Sequence, residues 1–310
     1  MKKVFLLASL IALSALAPFT SANASIDSKL YGKINLSVVN TDNQFLDGWK
    51  LNSNASRIGL KGTTQVSEGL TVFYKTEFEV CVDDGDCKGN TLGQRNIYAG
   101  IRGDFGSILA GNSDTPTKQA QKKIDLFGDL EGDIKKIFAG ENRMDNIVAY
   151  STPSYGAFSA TYAVMPNEEG SSGISDTTSY SVSYNKDGLY VAVAGDSNVK
   201  GSDILRVVSQ YKFDAWQLGL MYQENDTTNE SGYFASTAYK CDDITYKAQY
   251  GANENDTDSS EKTTLSLGAD YKLANNTKAY AFYTDYDIPV NATQEDGPTE
   301  TFGLGLEHKF

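Results

Sequence analysis

The sequence predicts an all-β fold: a transmembrane, antiparallel, up-and-down β-barrel of about sixteen strands. Three observations predict it. The chain opens with an export signal, it alternates with period two in segments of about ten residues, and the connections between segments are short at one end and long at the other.

The export signal is local and legible. Met1-Lys2-Lys3 precedes a mainly apolar run over 4–17, and Ala22-Asn23-Ala24 supplies an A-x-A cleavage site. The run is too short to span a bilayer as a helix. The alternative is an N-terminal anchor helix. The expected organisation is a cleaved signal over 1–24 and a single barrel over 25–310.

Alternation is clearest around Leu265, Leu267, Ala269 and Tyr271, which face away from Thr264, Ser266, Gly268 and Asp270. Trp216, Leu218, Leu220 and Tyr222 form a second apolar face, opposite Gln217, Gly219 and Gln223. Ile244, Tyr246, Ala248 and Tyr250 form a third, and Phe302, Leu304, Leu306, His308 and Phe310 form the last. Leu205, Val207, Ser209, Tyr211 and Phe213 repeat the pattern less cleanly. One face suits lipid and the other suits water.

Short turns are expected at 66–69, 103–105, 153–156, 186–188, 213–214, 241–243 and 273–276, and long polar connections at 40–54, 166–176 and 288–298. Short turns at one rim and long loops at the other are the bacterial barrel pattern. A large water-soluble sandwich or barrel would also show strands and turns. It would not need Lys, Arg, Glu and Gln along the inner faces.

Composition agrees. Hydrophobic residues make up 40% and the mean hydropathy is −0.38. A closed barrel is the membrane architecture that hides in such an average, because only every second residue meets lipid. Tyr 19 and Phe 14 outnumber Trp 2, and tyrosine suits a membrane interface. The net charge of −13 excludes a nucleic-acid partner, which would need a basic surface. The acidic residues cluster in the connections, where they are placed to share divalent cations with anionic lipid head groups.

Cys81 and Cys87 flank a turn-rich insert and are a disulfide candidate in an exported chain. With no histidine or third cysteine nearby, metal binding is not supported there. Cys241 is left over, and His308 is the only histidine. No metal or cofactor is expected.

One segment breaks the alternation. Residues 113–142 are long and rich in both charges, yet contain Phe127, Ile134, Ile137 and Phe138. A loop this long inside a compact fold is usually functional; the plainer alternative is a surface flap.

Several motifs together resemble the trimeric general-diffusion porins of Gram-negative outer membranes. They are Leu30-Tyr31-Gly32-Lys33, Ser56-Arg57-Ile58-Gly59-Leu60-Lys61-Gly62, Arg95-Asn96-Ile97-Tyr98-Ala99-Gly100-Ile101, Phe127-Gly128-Asp129, and the stretch from Asn142-Arg143 to Thr152-Pro153. The resemblance runs from about Ser28 to Phe310 and rests on order and spacing. It implies an outer-membrane homotrimer of sixteen-stranded barrels. It also implies a long third loop folded into the lumen, contact with lipopolysaccharide, and a C-terminal Phe310 read by the barrel-assembly machinery.

The resemblance also implies a constriction in which basic wall residues oppose an acidic loop. Lys33, Arg57 and Arg95 match the basic wall. The face of Arg95 is ambiguous, because the alternation around Ile97 and Tyr98 does not choose one. Glu77 matches an acidic wall position, with Lys75 and Glu79 on its face. Asp125, Asp129 and Glu131, then Asp133, are the loop candidates. Another family arginine falls near Ser151, so this chain lacks it, and fewer positive charges there favour cations.

The expected function is passive passage of ions and small hydrophilic solutes through a water-filled channel, with a weak preference for cations. Opposed charges across a narrow aqueous gap order water and ions, so polar solutes pass more easily than apolar ones. The charges could instead only brace the loop. A substrate-specific channel is one alternative, with Tyr31, Phe73, Tyr190 and Tyr283 as candidate inward aromatics. A non-conducting adhesin or structural barrel is another. An outer-membrane hydrolase would need a serine activated by histidine, and His308 belongs by parity to the outer face.

Overall fold

A computed structural model describes residues 26–43, 47–166, 173, 176–289 and 298–310. The expected signal segment lies outside the described residues, as do most of 166–176 and 288–298. The strands are β1 (Ile26–Asn43), β2 (Asp47–Ser53), β3 (Arg57–Ser67), β4 (Leu70–Glu79), β5 (Gly93–Gly103) and β6 (Gly106–Asp114). After the long internal loop come β7 (Arg143–Ser151), β8 (Phe158–Val164), β9 (Thr178–Lys186), β10 (Leu189–Val199) and β11 (Ser202–Phe213). The circuit is completed by β12 (Trp216–Asn225), β13 (Glu230–Cys241), β14 (Ile244–Asn255), β15 (Glu261–Ala274), β16 (Thr277–Asp287) and β17 (Thr299–Lys309).

These elements form one 17-stranded antiparallel sheet that closes on itself through β1 and β17. β2 and β3 both pair with the same side of β1, one above the other. They are a single staircase interrupted at 54–56, where Ala55 takes a positive φ of 48°. The wall therefore has sixteen strands, one of them broken. Closure runs from Lys33↔Lys309 to Asn43↔Thr299. It ends with a reciprocal pair: Gly32 N–H donates to the Phe310 carbonyl at 3.0 Å, and Phe310 N–H donates to the Gly32 carbonyl at 3.1 Å. Gly32 is required here, since any Cβ would strike the Phe310 ring.

Lipid-facing parity follows the alternation. Leu218, Leu220, Leu265, Leu267, Leu304 and Leu306 are exposed on the outside, while Gln223, Gln249, Thr264 and Thr301 are buried inside. Trp216 packs on Tyr239, their ring centroids 4.5 Å apart, and Tyr233 approaches Tyr250 at 6.1 Å. These pairs lie towards opposite ends of the leucine band, as interfacial aromatics do.

The turns expected at one rim are all present, from Glu68-Gly69 to Asn275-Asn276. The opposite rim differs from expectation in two ways. The polar stretch 40–54 is mostly strand, because β1 continues to Asn43 and β2 begins at Asp47. Its alternation, with Trp49 and Leu51 outward, is too brief to stand out. The β10–β11 connection is only Lys200-Gly201, so long loops are not general at that rim. Tyr283 is also corrected. Tyr280, Phe282, Thr284 and Tyr286 are the buried inward series on β16, which puts Tyr283 on the outer face.

The buried apolar core lies in the lumen. It forms where the loop 115–142 packs against the inner wall: Ile124, Ile134, Ile137 and Phe138 meet Tyr190, Val208, Met221 and Phe234. Phe127 joins Val39, Tyr280 and Phe282. Glycine on the wall makes room, since a Cβ at Gly268 would sit 2.8 Å from the Phe127 ring.

Leu220, 60% exposed in the middle of the lipid band, provides a test. Leu220→Arg should cost about 2–4 kcal/mol in reversible urea unfolding from vesicles. Gln217→Arg, on the lumen side, should cost far less.

Candidate pore constriction

The loop enters the lumen from β6 and is built to hold its shape. Thr115 caps the short helix α1 (Pro116–Ala120), its side chain accepting from Lys118 N–H, with Pro116 in the first turn. Asp133 caps a 3-10 turn over Ile134–Lys136 in the same way, accepting from Lys135 N–H. At the loop root Arg206 of β11 is fully buried. Its Nη1 lies 2.6 Å from Glu141 Oε1, Nη2 donates to the Ala139 carbonyl at 2.8 Å, and Nε donates to Gln223 at 2.8 Å. With Nη1 also donating to the Thr117 carbonyl at 3.4 Å, every nitrogen of the guanidinium has a partner, which is what makes a buried charge tolerable.

At the loop tip Asp129 takes a positive φ of 71° and its carboxylate reaches the wall. Asp129 Oδ2 lies 2.9 Å from Lys33 Nζ and 2.6 Å from Arg57 Nη2. A second cluster continues along the wall. Arg95 binds Glu77 and Glu79, both at 3.0 Å. Glu77 also takes Lys75 at 3.2 Å and a hydrogen bond from the Tyr31 hydroxyl at 2.8 Å. Further round, Arg143 pairs with Asp114 at 3.0 Å. The Asp129, Arg57 and Glu79 side chains keep 29%, 18% and 34% exposure, so these charges border water inside the barrel.

The structure thus brings Lys33, Arg57, Arg95, Glu77 and Asp129 together. Arg95 reaches the inner face through a bulge: the register slips between Thr76/Ile97 and Phe78/Gln94, so two residues of β5 oppose Glu77. That slip is why both Arg95 and Tyr98 point inward, and why period-two counting could not choose. Glu131 lies apart, held by Asn52 at 2.9 Å and Lys50 at 3.6 Å. Asp125 and Asp133 serve the loop itself. Asp125 accepts from Phe127 N–H and Ile134 N–H, and Asp133 accepts from Asp129 N–H. Cys81 and Cys87 are bonded, six residues apart at the head of the β4–β5 loop.

Lys50, Asn52, Asp114 and Arg206 are contributors that sequence reasoning missed. Arg206 had a visible signal, an arginine alternating with Val208 and Gln210 on the inner face. His308 is exposed on the outer face, 2.8 Å from the Thr277 hydroxyl.

The two loop acids titrate in opposite directions. Burial pushes Asp129 up, but Lys33 and then Arg57 outweigh it and hold it at about 2. Burial, reinforced by the Asp133 carboxylate, pushes Asp125 up to about 8.

A closed barrel with an apolar outer band, an aqueous charged interior and an inward loop defines a membrane pore. A profile of the Gram-negative porin family matches residues 9–288, and the chain belongs to that family and to the outer membrane. It is 30% identical to outer membrane porin protein 32 of Delftia acidovorans over 185 residues, 54% of this chain and about half, 52%, of that protein. It is 24% identical to major outer membrane protein P.IB of Neisseria gonorrhoeae over 324 residues, covering 97% of this chain and 89% of the other. Among solved structures, OmpF of Salmonella typhi in complex with daunomycin superposes with a TM-score of 0.75 at 17% identity, over 91% of this chain and 97% of that one. A trimer form of Vibrio cholerae OmpT superposes with a TM-score of 0.68 at 19% identity, over 92% and 100%.

Two outcomes are expected. Arg206→Met strands a buried Glu141 and should lower stability by about 3–5 kcal/mol, seen as a fall in the melting transition in detergent; adding Glu141→Gln should recover much of it. In stability-versus-pH profiles the loop acids should separate. Asp129, depressed to about 2, stabilises above about 4 and loses that contribution as the pH falls towards 2. Asp125, raised to about 8, stabilises fully below about 4 and loses its contribution as the pH rises through 8. Asp129→Asn should remove the acid-side loss, and Asp125→Asn the alkaline-side loss.

Proposed function

We propose that the chain forms a general-diffusion channel for ions and small hydrophilic solutes, with a weak preference for cations. The observation that carries it is the pairing of the loop tip Asp129 with Lys33 and Arg57 on the inner wall. It sets a charged boundary in water, where ions and polar solutes exchange hydration for side-chain contacts. Lys33, Arg57, Arg95, Glu77 and Asp129 line that boundary. Glu131 flanks it, while Asp125 and Asp133 keep the loop in shape.

The cation preference is supported by the neutral Ser151, whose hydroxyl contacts Thr161 at 2.9 Å, and by the net charge of −13. The channel works without enzymatic activity or a cofactor; the surface position of His308 argues against a buried catalytic triad. The functional unit is a homotrimer, as the trimeric relative suggests. Residues 1–24 are removed on export, the C-terminal Phe310 is read by the barrel-assembly machinery, and acidic connections meet lipopolysaccharide through divalent cations.

The test is conductance of the mature protein in a planar bilayer under a salt gradient. Large steps that close in thirds at high voltage, with a reversal potential of cation sign, are expected. Asp129→Asn should shift that potential towards anions, and Asp125→Asn should leave it in place. Well-folded, silent protein would remove the channel reading.

A further inference from the structure

Beyond the constriction, towards the short-turn rim, the inner wall carries a second set of cations. Lys29 stands opposite Lys61 in the β1–β3 register, and Lys61 opposite Lys75 in the β3–β4 register. Leu30 and Leu60 are exposed on the lipid side, so Lys29 and Lys61 face the lumen. The Lys61 and Lys75 ammonium groups lie 5.2 and 5.9 Å from the Tyr31 ring centroid, which fixes them on the same face. Three lysines therefore stand side by side on three adjacent strands, within about 10 Å. Like charges directly opposite one another destabilise a sheet, so the row is not explained by folding.

Its neutralisation differs from that of the constriction. Lys33, Arg57, Arg95 and Arg143 each hold a carboxylate. In the row, Lys75 holds Glu77, whereas Lys29 and Lys61 form no ion pair among the described residues. On that face Asp27, opposite Thr63, and Glu77, opposite Gly59, each stand one inward-facing position along from the Lys61 level, and neither pairs with Lys61 among the described residues. Two inward-facing positions nearer the rim than Lys75, Arg102 stands 5.9 Å from the Phe73 ring centroid, also without an ion pair among the described residues. It borders a recess of about 480 Å³ lined with the hydroxyls of Thr71, Ser107, Thr152 and Ser154.

We infer that this part of the vestibule is a binding site for a compact oxyanion carrying two or more negative charges. The anion lies across Lys29, Lys61 and Lys75, with Arg102 and the hydroxyl recess on its approach from the rim. Ammonium groups converging on one solute give charge-assisted hydrogen bonds that a single monovalent ion such as chloride cannot match. The site depends on the channel reading only for access through the pore. It is compatible with a weak overall cation preference, because Asp83, Asp84 and Asp86 are exposed near the opposite mouth. The lysine row lies on the short-turn side of the constriction, so a multivalent anion entering from that side reaches it first.

Inorganic pyrophosphate is the probe, measured in two ways against wild type and the double variant K29Q/K61Q. Calorimetry on the folded protein in detergent needs no conductance. In the bilayer, pyrophosphate is added to one side at a time, with orientation read from a membrane-impermeant thiol reagent on the exposed Cys241 beside a short turn. Wild type should bind pyrophosphate at low salt and be blocked from the short-turn side at lower concentration than from the other. The double variant should keep its heat-modifiable fold and chloride conductance while losing about tenfold or more in both readings. Unchanged binding and block in the double variant would overturn the site. So would a conducting wild type that neither binds nor shows sidedness, an outcome that leaves the channel reading standing. If the protein folds but does not conduct, the channel reading fails and calorimetry alone decides the site: loss of binding in the variant supports it, and absence of binding in wild type overturns it.

Discussion

Closure of the backbone hydrogen-bond ring is the constraint on which the rest of this structure depends. In hydrocarbon an unpaired peptide group has no water to turn to, so a sheet can cross a membrane only if its first and last strands meet. Here they meet at β1 and β17, down to the reciprocal pair between Gly32 and Phe310. The register of that seam has a wide consequence. A slip of one residue would exchange the two faces of a strand, moving Lys33 and Asn35 into lipid and Ile34 and Leu36 into water.

A closed, wide barrel has no core of its own, because its inner face must meet water. This chain makes one by sending the loop inward. The apolar side of the loop, with Ile124, Phe127, Ile137 and Phe138, packs on β10–β16 and on Val39 of β1, and small wall residues such as Gly268 and Gly251 admit the rings. The charged tip is left to meet β1 and β3. The lumen is therefore asymmetric: one flank is dry and packed, and the other is wet and charged. Arg206, buried at the loop root, ties the two arms of the loop together through Thr117, Ala139 and Glu141.

That asymmetry gives the wall charges different tasks. Where the loop carboxylate meets wall cations directly, as at Asp129 with Lys33 and Arg57, the pair positions the loop and marks the edge of the water-filled gap. Where cations adjoin without an ion pair among the described residues, as at Lys29 and Lys61, the charge remains available to a passing solute. Neighbouring residues of the same type thus differ in role because of one element, the loop, which reaches some of them and not others.

The outer surface was legible from alternation alone, because each lipid-facing position answers to the same solvent and needs no knowledge of its neighbours. Leu218, Leu265 and Leu304 could be assigned outward, and Gln217, Ser266 and Thr301 inward, from their own strands. Short turns were legible for a similar reason: Asp187-Gly188 and Asp242-Asp243 carry their backbone preferences locally. The interior was less legible. The face of Arg95 depends on a bulge opposite Glu77, and β2 is recognisable only once Trp49 and Leu51 are seen paired with β1. Of the loop acids, Asp129 meets the wall while Asp125 turns inward to two peptide N–H groups. Nothing in their side chains distinguishes them; the path of the backbone does. Alternation thus established the barrel, its outward surface and its short-turn rim, since those depend on contact with lipid or on local dihedral preference. Which charges converge, and which stand free, was settled by residues distant in the chain, because an ion pair is a relation between two positions and a strand pattern describes only one.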